Sequence, residues 1–435
     1  MTEPSPGAAR KSGFAIYSRP RLIAVLGLGI ASGFPYTLVA ATLTQWLSEL
    51  EVSRASIGLF SLALVMYNLK PLWAWLVDGI AIPGLSRLIG QRRAWLLVAD
   101  VLLVVAIVLL ATSDPVNRLA WTALCALLVA FASATQDIVI DAYRIEVLTP
   151  SEMGAGAGMA NYGWRMGSYA ASTMVLLLAA AFGWTVAYIA AASLVVFALA
   201  AALYLGEPKA HRAAMAVVGR QGLREKILNP FVEFLQRRGA FVILAFILLH
   251  KIGDTMGQLM LRNLLVGLAF TKQEVATYDV TVGTLFLLIG TAVGGVLYAR
   301  FGVARTMVLG LLLMMISNLS FSFLALLGHS NAFLAFTMAF ESLASGIGGV
   351  VVVGYLSSLC NLAYTATQYA LFSAAAPIVG RLLTAPSGFL IDAVGYPLFY
   401  GITTVAALPG LILFLLMWRR DLLGVPSENK NKSTD

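Results

Sequence analysis

Ionisable side chains stand inside otherwise apolar stretches of this sequence, among them Lys70, Asp137, Arg165, Lys251, Asp254, Glu341 and Arg381. Gln136 adjoins Asp137, and Asp141 follows one helical turn later. A charged group at the centre of a bilayer costs about 2.5–3.5 kcal/mol on insertion scales, so such residues mark proton relays, ion paths or cargo contacts. Carboxylates can carry protons, and arginine's planar fork suits a carboxylate ligand. Counting about 1.5 Å per residue from each helix start puts Lys70, Arg165, Lys251, Glu341 and Arg381 in the middle third of the bilayer. Asp137 falls nearer one face. Lys251 and Asp254 are three residues apart on one helix face and are expected to pair.

Asp137 has no basic residue within helical reach until Arg144, about two turns away. A carboxylate without a fixed cation suits proton coupling, so Asp137 is the expected protonating group, ahead of Asp254 and Glu341. Arg165 and Arg381 each follow a glycine closely, Gly163 and Gly380. They are expected to clamp cargo carboxylates from two sides, because two buried guanidiniums need anionic partners.

Enzyme chemistry finds no footing. His211, His250 and His329 lie far apart and lack metal-ligand spacing. No glycine loop that could cradle phosphate appears, and no nucleophile and base belong together. The expectation is therefore a non-enzyme with no metal and no cofactor.

The elements that must position these residues follow from composition. Hydrophobic residues make up 60%, charged residues 11%, and the mean hydropathy is +0.86 over 435 residues. A soluble domain carries about 25% charge. The net charge of +8 is spread over short loops, which indicates topology and not nucleic acid. Cys125 and Cys360 are too few for a disulfide framework. Twelve apolar runs are long enough to cross a bilayer: 21–46, 54–78, 94–112, 117–141, 155–182, 184–205, 239–268, 275–299, 304–327, 332–359, 366–390 and 395–418. They give the expected organisation: a cytoplasmic tail 1–20, six helices over 21–205, a cytoplasmic linker 206–238, six helices over 239–418, and a cytoplasmic tail 419–435.

With the N-terminus inside, the inner segments hold 21 of the 29 lysines and arginines and the outer loops three. That asymmetry puts both termini in the cytoplasm. The halves echo each other: Arg93 and Arg305 are 212 residues apart, and Arg165 and Arg381 are 216 apart. Such offsets suggest a duplicated six-helix unit with its binding site between the repeats. Glycines at 154, 158, 163 and 167, and at 290 and 294, are spaced for close helix packing. Pro35, Pro71, Pro377 and Pro386 can bend helices around a cavity.

Asp78, closing the second run, followed by Arg92 and Arg93, resembles a stretched form of the loop motif of major facilitator transporters. In that family the motif is a cytoplasmic charge latch. The resemblance implies a gating set of Asp78, Arg92, Arg93 and Asp141, with Asp141 receiving the arginines.

The resemblance sharpens over longer segments. These are RLIAVLGLGIASGFPYTL, LKPLWAWLVDG, SATQDIVIDAYRIEVL and GAGAGMANYGWRMG in the first half. In the second half they are HKIGDTMG, FESLASGIGG and CNLAYTATQYALFSAAAPIVGR. Over nearly its whole length the chain is similar to the AmpG-like muropeptide permeases of the major facilitator superfamily. That implies an all-α polytopic membrane protein with the twelve-helix major facilitator fold of two pseudo-symmetric six-helix halves. It also implies a proton-driven importer of N-acetylglucosamine-anhydro-N-acetylmuramyl peptides in a bacterial inner membrane, serving cell-wall recycling. Lys70, Gln136, Asp137, Arg165, Lys251, Asp254, Glu341 and Arg381 match its substrate and coupling positions. Expected partners are the glycopeptide cargo, protons and lipid, with no nucleic acid, and the protein a monomer. Some members continue into extra C-terminal helices, whereas this chain ends soon after Trp418. Relatives tied to acetyl-coenzyme A or to pigment-complex assembly leave two alternatives, another anionic cargo or a non-transporting assembly factor.

Overall fold

The computed structural model describes residues 13–208, 222–384 and 386–424. Two regions follow from the apolar runs: helices that need a nonpolar solvent, and connections short enough to make neighbours antiparallel. Among the described residues ten helical stretches are long and apolar enough to cross a membrane, and the protein is a multi-pass membrane protein. One of these, Lys272–Leu327, is two helices joined at Gly302 (φ 77°, ψ 172°). With Thr365–Thr384 the number becomes twelve.

We number them α1 (Pro20–Glu49), α2 (Arg54–Leu72, continued as Ala74–Gly79), α3 (Gln91–Ala111), α4 (Leu119–Val147), α5 (Pro150–Phe182) and α6 (Trp184–Leu205). The second six are α7 (Ala240–Gly267), α8 (272–301), α9 (303–327), α10 (Asn331–Ser358), α11 (Thr365–Thr384, continued over 387–394) and α12 (396–419). An amphipathic linker helix, Leu223–Leu235, precedes α7. The even number of crossings in each half puts the linker helix, the start of α1 and the end of α12 on one side.

Glycines in the left-handed region punctuate the duplication. Gly90, Gly183, Gly302 and Gly395 share φ 76–95° and ψ 162–172°, and each opens the next helix. Only glycine adopts that backbone without strain. Gly90 and Gly302 are 212 residues apart, as are Gly183 and Gly395, and the starts of α4 and α10 at Leu119 and Asn331. The outer starts of α2 and α8, Arg54 and Lys272, are instead 218 apart. The first half therefore carries six more residues before its Gly90. They lie in the α2–α3 connection, where the short helix Leu85–Ile89 has formed.

Close packing between helices uses the expected glycines. A Cβ on Gly163 would lie 2.2 Å from the Leu26 carbonyl oxygen of α1, and one on Gly290 2.3 Å from that of Leu343 in α10. Backbones that approach so closely associate without a hydrophobic drive.

The two halves meet on the linker side and part on the other. On the linker side one continuous core takes Ile16, Ile145, Met153 and Met159 from the first half and Tyr298, Val351, Tyr355 and Phe414 from the second. On the far side each half keeps its own core, one running from Phe34 to Val195 and the other from Met256 to Tyr400. The α5–α8 seam shows where they separate. Gly154 abuts Tyr298, Gly158 faces Thr291, and the Tyr162 hydroxyl donates to the Leu288 carbonyl. One and two turns further, Met166 and Tyr169 on α5 and Leu285 on α8 are more than half exposed. A cleft thus opens away from the linker.

Candidate functional site

The closed end of the cleft is built around a buried guanidinium. Arg92, fully buried at the start of α3, donates to Asp78 at 2.7 Å and to Glu146 at 2.6 Å. Its Nη1 reaches the Val77 carbonyl at 3.1 Å. Such a charge is tolerable only when its donors are met. Asp78 also accepts from the second half: Ala366 N at 3.1 Å, Thr367 N at 2.8 Å and the Thr367 hydroxyl at 2.7 Å. These are the free N–H groups at the start of α11, where a helix favours an anion. Asp78 is therefore the cap of a helix in the other half.

Asp141 was expected to receive the latch arginines, and it does not. It lies 3.7 Å from Lys70 and 3.4 Å from Arg144, while Glu146, five residues on, binds Arg92. The backbone N–H of Arg93 donates to Glu207. A second contact between halves comes from Arg144, whose guanidinium sits 5.3 Å over the Tyr369 ring and donates to Ser357 at 3.3 Å.

The floor of the cleft in the first half is an ion pair. Pro71 breaks α2 into a 3₁₀ turn, Lys70–Leu72, and Lys70 sits at the break. Its ammonium donates to Asp137 Oδ2 at 2.6 Å, and Ser32 donates to Oδ1 at 2.9 Å. Asp137 therefore has a fixed cation, from another helix, which overturns the reason for preferring it as the protonating group. Gln136 is also placed differently from expectation. One residue is about 100° of helix rotation, so Gln136 turns from the cleft, is fully buried, and donates to Asp100 of α3 at 2.6 Å.

The second half supplies acids. α7 is interrupted at Lys251 (φ −114°, ψ 8°), which caps Ile252–Gly267. Lys251 lies 3.8 Å from Asp254, as expected from their spacing, with its side chain half exposed. Glu341 of α10 accepts from Ser345 at 2.8 Å and Ser342 at 3.4 Å, and Gln258 also donates to it. Ser345 also stands beside Asp254, so one serine lies between two carboxylates from different helices. Among the described residues Glu341 has no lysine or arginine within 4.0 Å.

Arg165 lies on α5 at the level where the halves separate, three residues beyond Tyr162, and its Nε has no hydrogen-bond partner among the described residues. The side chain of Arg381 lies outside the described residues. In the 212-residue register Arg165 pairs with position 377, so residue 381 stands one turn, about 6 Å, further from the linker side.

Sequence reasoning missed Glu146, Arg144, Ser357, Tyr369 and an aromatic group, Tyr36, Tyr67 and Trp164, above the Lys70–Asp137 pair. Within-helix spacing finds partners three or four residues apart. These residues find theirs across helices.

A family model described as the Major Facilitator Superfamily matches residues 25–278. The anhydromuropeptide permease of Escherichia coli (strain K12) is 34% identical over 404 residues, covering 92% of this chain and 80% of that protein. A Rickettsia prowazekii (strain Madrid E) protein named as a transporter, AmpG 3, is 29% identical over 412 residues, covering 94% and 98%. Among solved structures, a bacterial homologue of the iron transporter ferroportin in an outward-facing state aligns with a TM-score of 0.67 at 14% identity, over 93% of this chain and all of that one. The proton:xylose symporter XylE bound to 6-bromo-6-deoxy-D-glucose aligns at 0.62 and 15% identity, over 94% and 96%. Both share the fold.

Proposed function

The chain belongs to the AmpG-like permeases of the major facilitator superfamily, and from that premise we propose that it imports anhydro-muropeptides from periplasm to cytoplasm, driven by the proton gradient. The observation that carries the reading is the cleft. Ionisable groups of both signs from both halves line it, it is shut on the linker side by the Asp78–Arg92–Glu146 set, and it is open on the other. The excess of basic residues on the linker side makes that side cytoplasmic. The protein is then a bacterial inner-membrane protein, open to the periplasm.

Import follows by rocking of the two halves, 21–205 and 239–418, about the bound cargo. Arg165, whose Nε has no partner among the described residues, offers its guanidinium to a cargo carboxylate at the level of the opening. Residue 381 stands higher on the facing helix, which suits an elongated cargo. Two carboxylates on either side of one serine are relieved by a proton between them, so the Asp254–Glu341 pair takes the coupling role. Cytoplasmic release requires α11 to leave its Asp78 cap.

The test is uptake of a radiolabelled N-acetylglucosamine-anhydro-N-acetylmuramyl peptide by vesicles, with and without an imposed pH gradient. Accumulation that depends on the gradient is the expected result. Uptake indifferent to the gradient removes proton coupling. No uptake, with competition-sensitive binding of acetyl-coenzyme A instead, overturns the cargo.

A further inference from the structure

One turn above the Lys70–Asp137 pair, towards the open side, the first half carries a tier of rings. α1 runs away from the linker side, and Tyr36 lies four residues beyond Ser32. α2 and α4 run the other way, and Tyr67 and Ser133 precede Lys70 and Asp137 by three and four residues. All therefore step in the same direction from the ion pair. Tyr36 meets Tyr67 edge-on at 5.4 Å between centroids and meets Trp164 of α5 at 5.8 Å. The Tyr67 hydroxyl bonds Ser133 at 2.6 Å. The back of α1 packs on α6, with Gly27 against Phe197 and Ala201. A ring on α1 that touches both α2 and α5 thus lies on the opposite, cleft-facing side. Tyr36 and Tyr67 are half-buried, and Trp164 is exposed, at 36%.

A pyranose has two apolar C–H faces and a rim of hydroxyls. A site for it needs ring faces to cover the C–H surface and polar groups at the edge. The tier has both, since the Tyr67 hydroxyl lies within it and Ser32, Asp137 and Lys70 lie one turn away. Ring faces bring large contact area at low entropy cost.

We propose that Tyr36, Tyr67 and Trp164 form a sugar subsite, which fixes the direction in which the cargo lies. This rests on the permease reading above. The amino-sugar end docks on the first half over the Lys70–Asp137 pair. The peptide end extends across to Lys251, whose exposed ammonium can meet a peptide carboxylate.

The experiment is calorimetric binding by the full chain in nanodiscs to three probes: the anhydro-disaccharide alone, the free stem peptide, and the complete anhydro-disaccharide peptide. Tyr36→Leu and Trp164→Leu are expected to weaken disaccharide binding about tenfold each, while Tyr36→Phe and Trp164→Tyr, which keep the rings, stay within about twofold. Binding of the free peptide stays unchanged in all four. The parent's tryptophan fluorescence is expected to shift with the disaccharide, and the shift is expected to vanish in Trp164→Phe while binding persists. If the Leu variants melt at the parent's temperature and bind the disaccharide as the parent does, the subsite is absent although the permease reading stands. Equal losses for disaccharide and free peptide also overturn it, because the rings are then structural. If the Leu variants fail to fold, loss of the fluorescence shift in Trp164→Phe still decides for the subsite, and retention of it decides against. Failure of the parent to bind the complete cargo overturns both readings.

Discussion

Asp78 and Thr367 are 289 residues apart, yet the Asp78 carboxylate accepts both the backbone N–H and the hydroxyl of Thr367, at 2.8 and 2.7 Å. The same carboxylate holds Arg92, itself bound to Glu146. One acid thus closes an ion triad in the first half and caps a helix of the second. Stability of the closed end and attachment between halves depend on one side chain.

Removing it should loosen the closed end. Asp78→Ala forfeits three bonds to α11 and leaves Arg92 with Glu146 and the Val77 carbonyl, at a cost of about 3 kcal/mol. The native cysteines report the result: both are free, Cys360 at the end of α10 beside the gate and Cys125 in the far-side core of the first half. Maleimide labelling of Cys360 should rise about tenfold or more in the variant while Cys125 stays unreactive. Unchanged labelling of Cys360 would show that the cap does not hold the gate.

The Lys70–Asp137 pair predicts non-additivity. Both groups are largely buried, so breaking the pair leaves one charge unmet. Lys70→Met or Asp137→Leu alone should each destabilise by about 3 kcal/mol, and the double variant by less than either. Thermal unfolding in detergent checks it. Additive losses would mean that the two do not interact in the folded protein.

The contrast between this pair and Lys251–Asp254 shows what could be read beforehand. The twelve crossings follow from hydrophobic run lengths, and the Lys251–Asp254 contact from a three-residue spacing on one helix. Lys70 and Asp137 lie on different helices 67 positions apart, and no periodicity within either reveals that they face each other. Gln136 failed for a related reason: adjacency in sequence turned it about 100° away, towards Asp100. Matching Arg93 to Arg305 found the true register of 212. Matching Arg165 to Arg381 did not, because like residues need not occupy like positions in the repeat. The resemblance to a stretched loop motif has a concrete cause in the six extra residues before Gly90.

The linker helix should be pH-sensitive at its docking point. Arg237 joins Glu233 at 2.7 Å, the Leu359 carbonyl at 2.5 Å and Gln368 at 3.3 Å, and Gln368 donates to Glu233 at 2.6 Å. Burial pushes the Glu233 carboxyl up, but the bonds from Arg237 and Gln368 outweigh it and hold the group below its ordinary value. A depressed carboxylate contributes above its unfolded pKa, about 4.3, and the contribution is lost as pH falls through the lower folded value. Amide protection of 223–235 should hold from pH 7 to 5 and fall below about pH 4. Glu233→Gln should lower protection between pH 7 and 5 to the level the parent reaches in acid, and remove the acid dependence. Acid dependence retained in that variant would assign it elsewhere.

Orientation is open to a direct check. With Cys125 and Cys360 replaced by serine, single cysteines at Ser48, at the far end of α1, and at Arg224, in the linker helix, both occupy exposed positions. An impermeant reagent added to the periplasmic side should label the first and not the second. Labelling of both, or of Arg224→Cys alone, would reverse or break the topology.

Coupling is the last prediction, and it separates the two halves of the site. Asp137 is held by Lys70 and Ser32, whereas among the described residues Glu341 meets hydroxyls, an amide and, through Ser345, another carboxylate, and no cation within 4.0 Å. A fixed ion pair has little to gain from a proton, and two acids on either side of one serine have much. Glu341→Gln imitates the protonated state permanently. It should still bind cargo and exchange labelled for unlabelled cargo across the membrane, because exchange needs the rocking motion but no net proton flow. Accumulation driven by an imposed pH gradient should fall to the level of a proteoliposome without the gradient. Asp137→Asn, by contrast, should weaken binding and exchange together, since it frees the Lys70 ammonium beneath the cargo. Gradient-driven accumulation by Glu341→Gln at the parent's level would remove Glu341 from coupling, and the same result for Asp254→Asn would remove the pair.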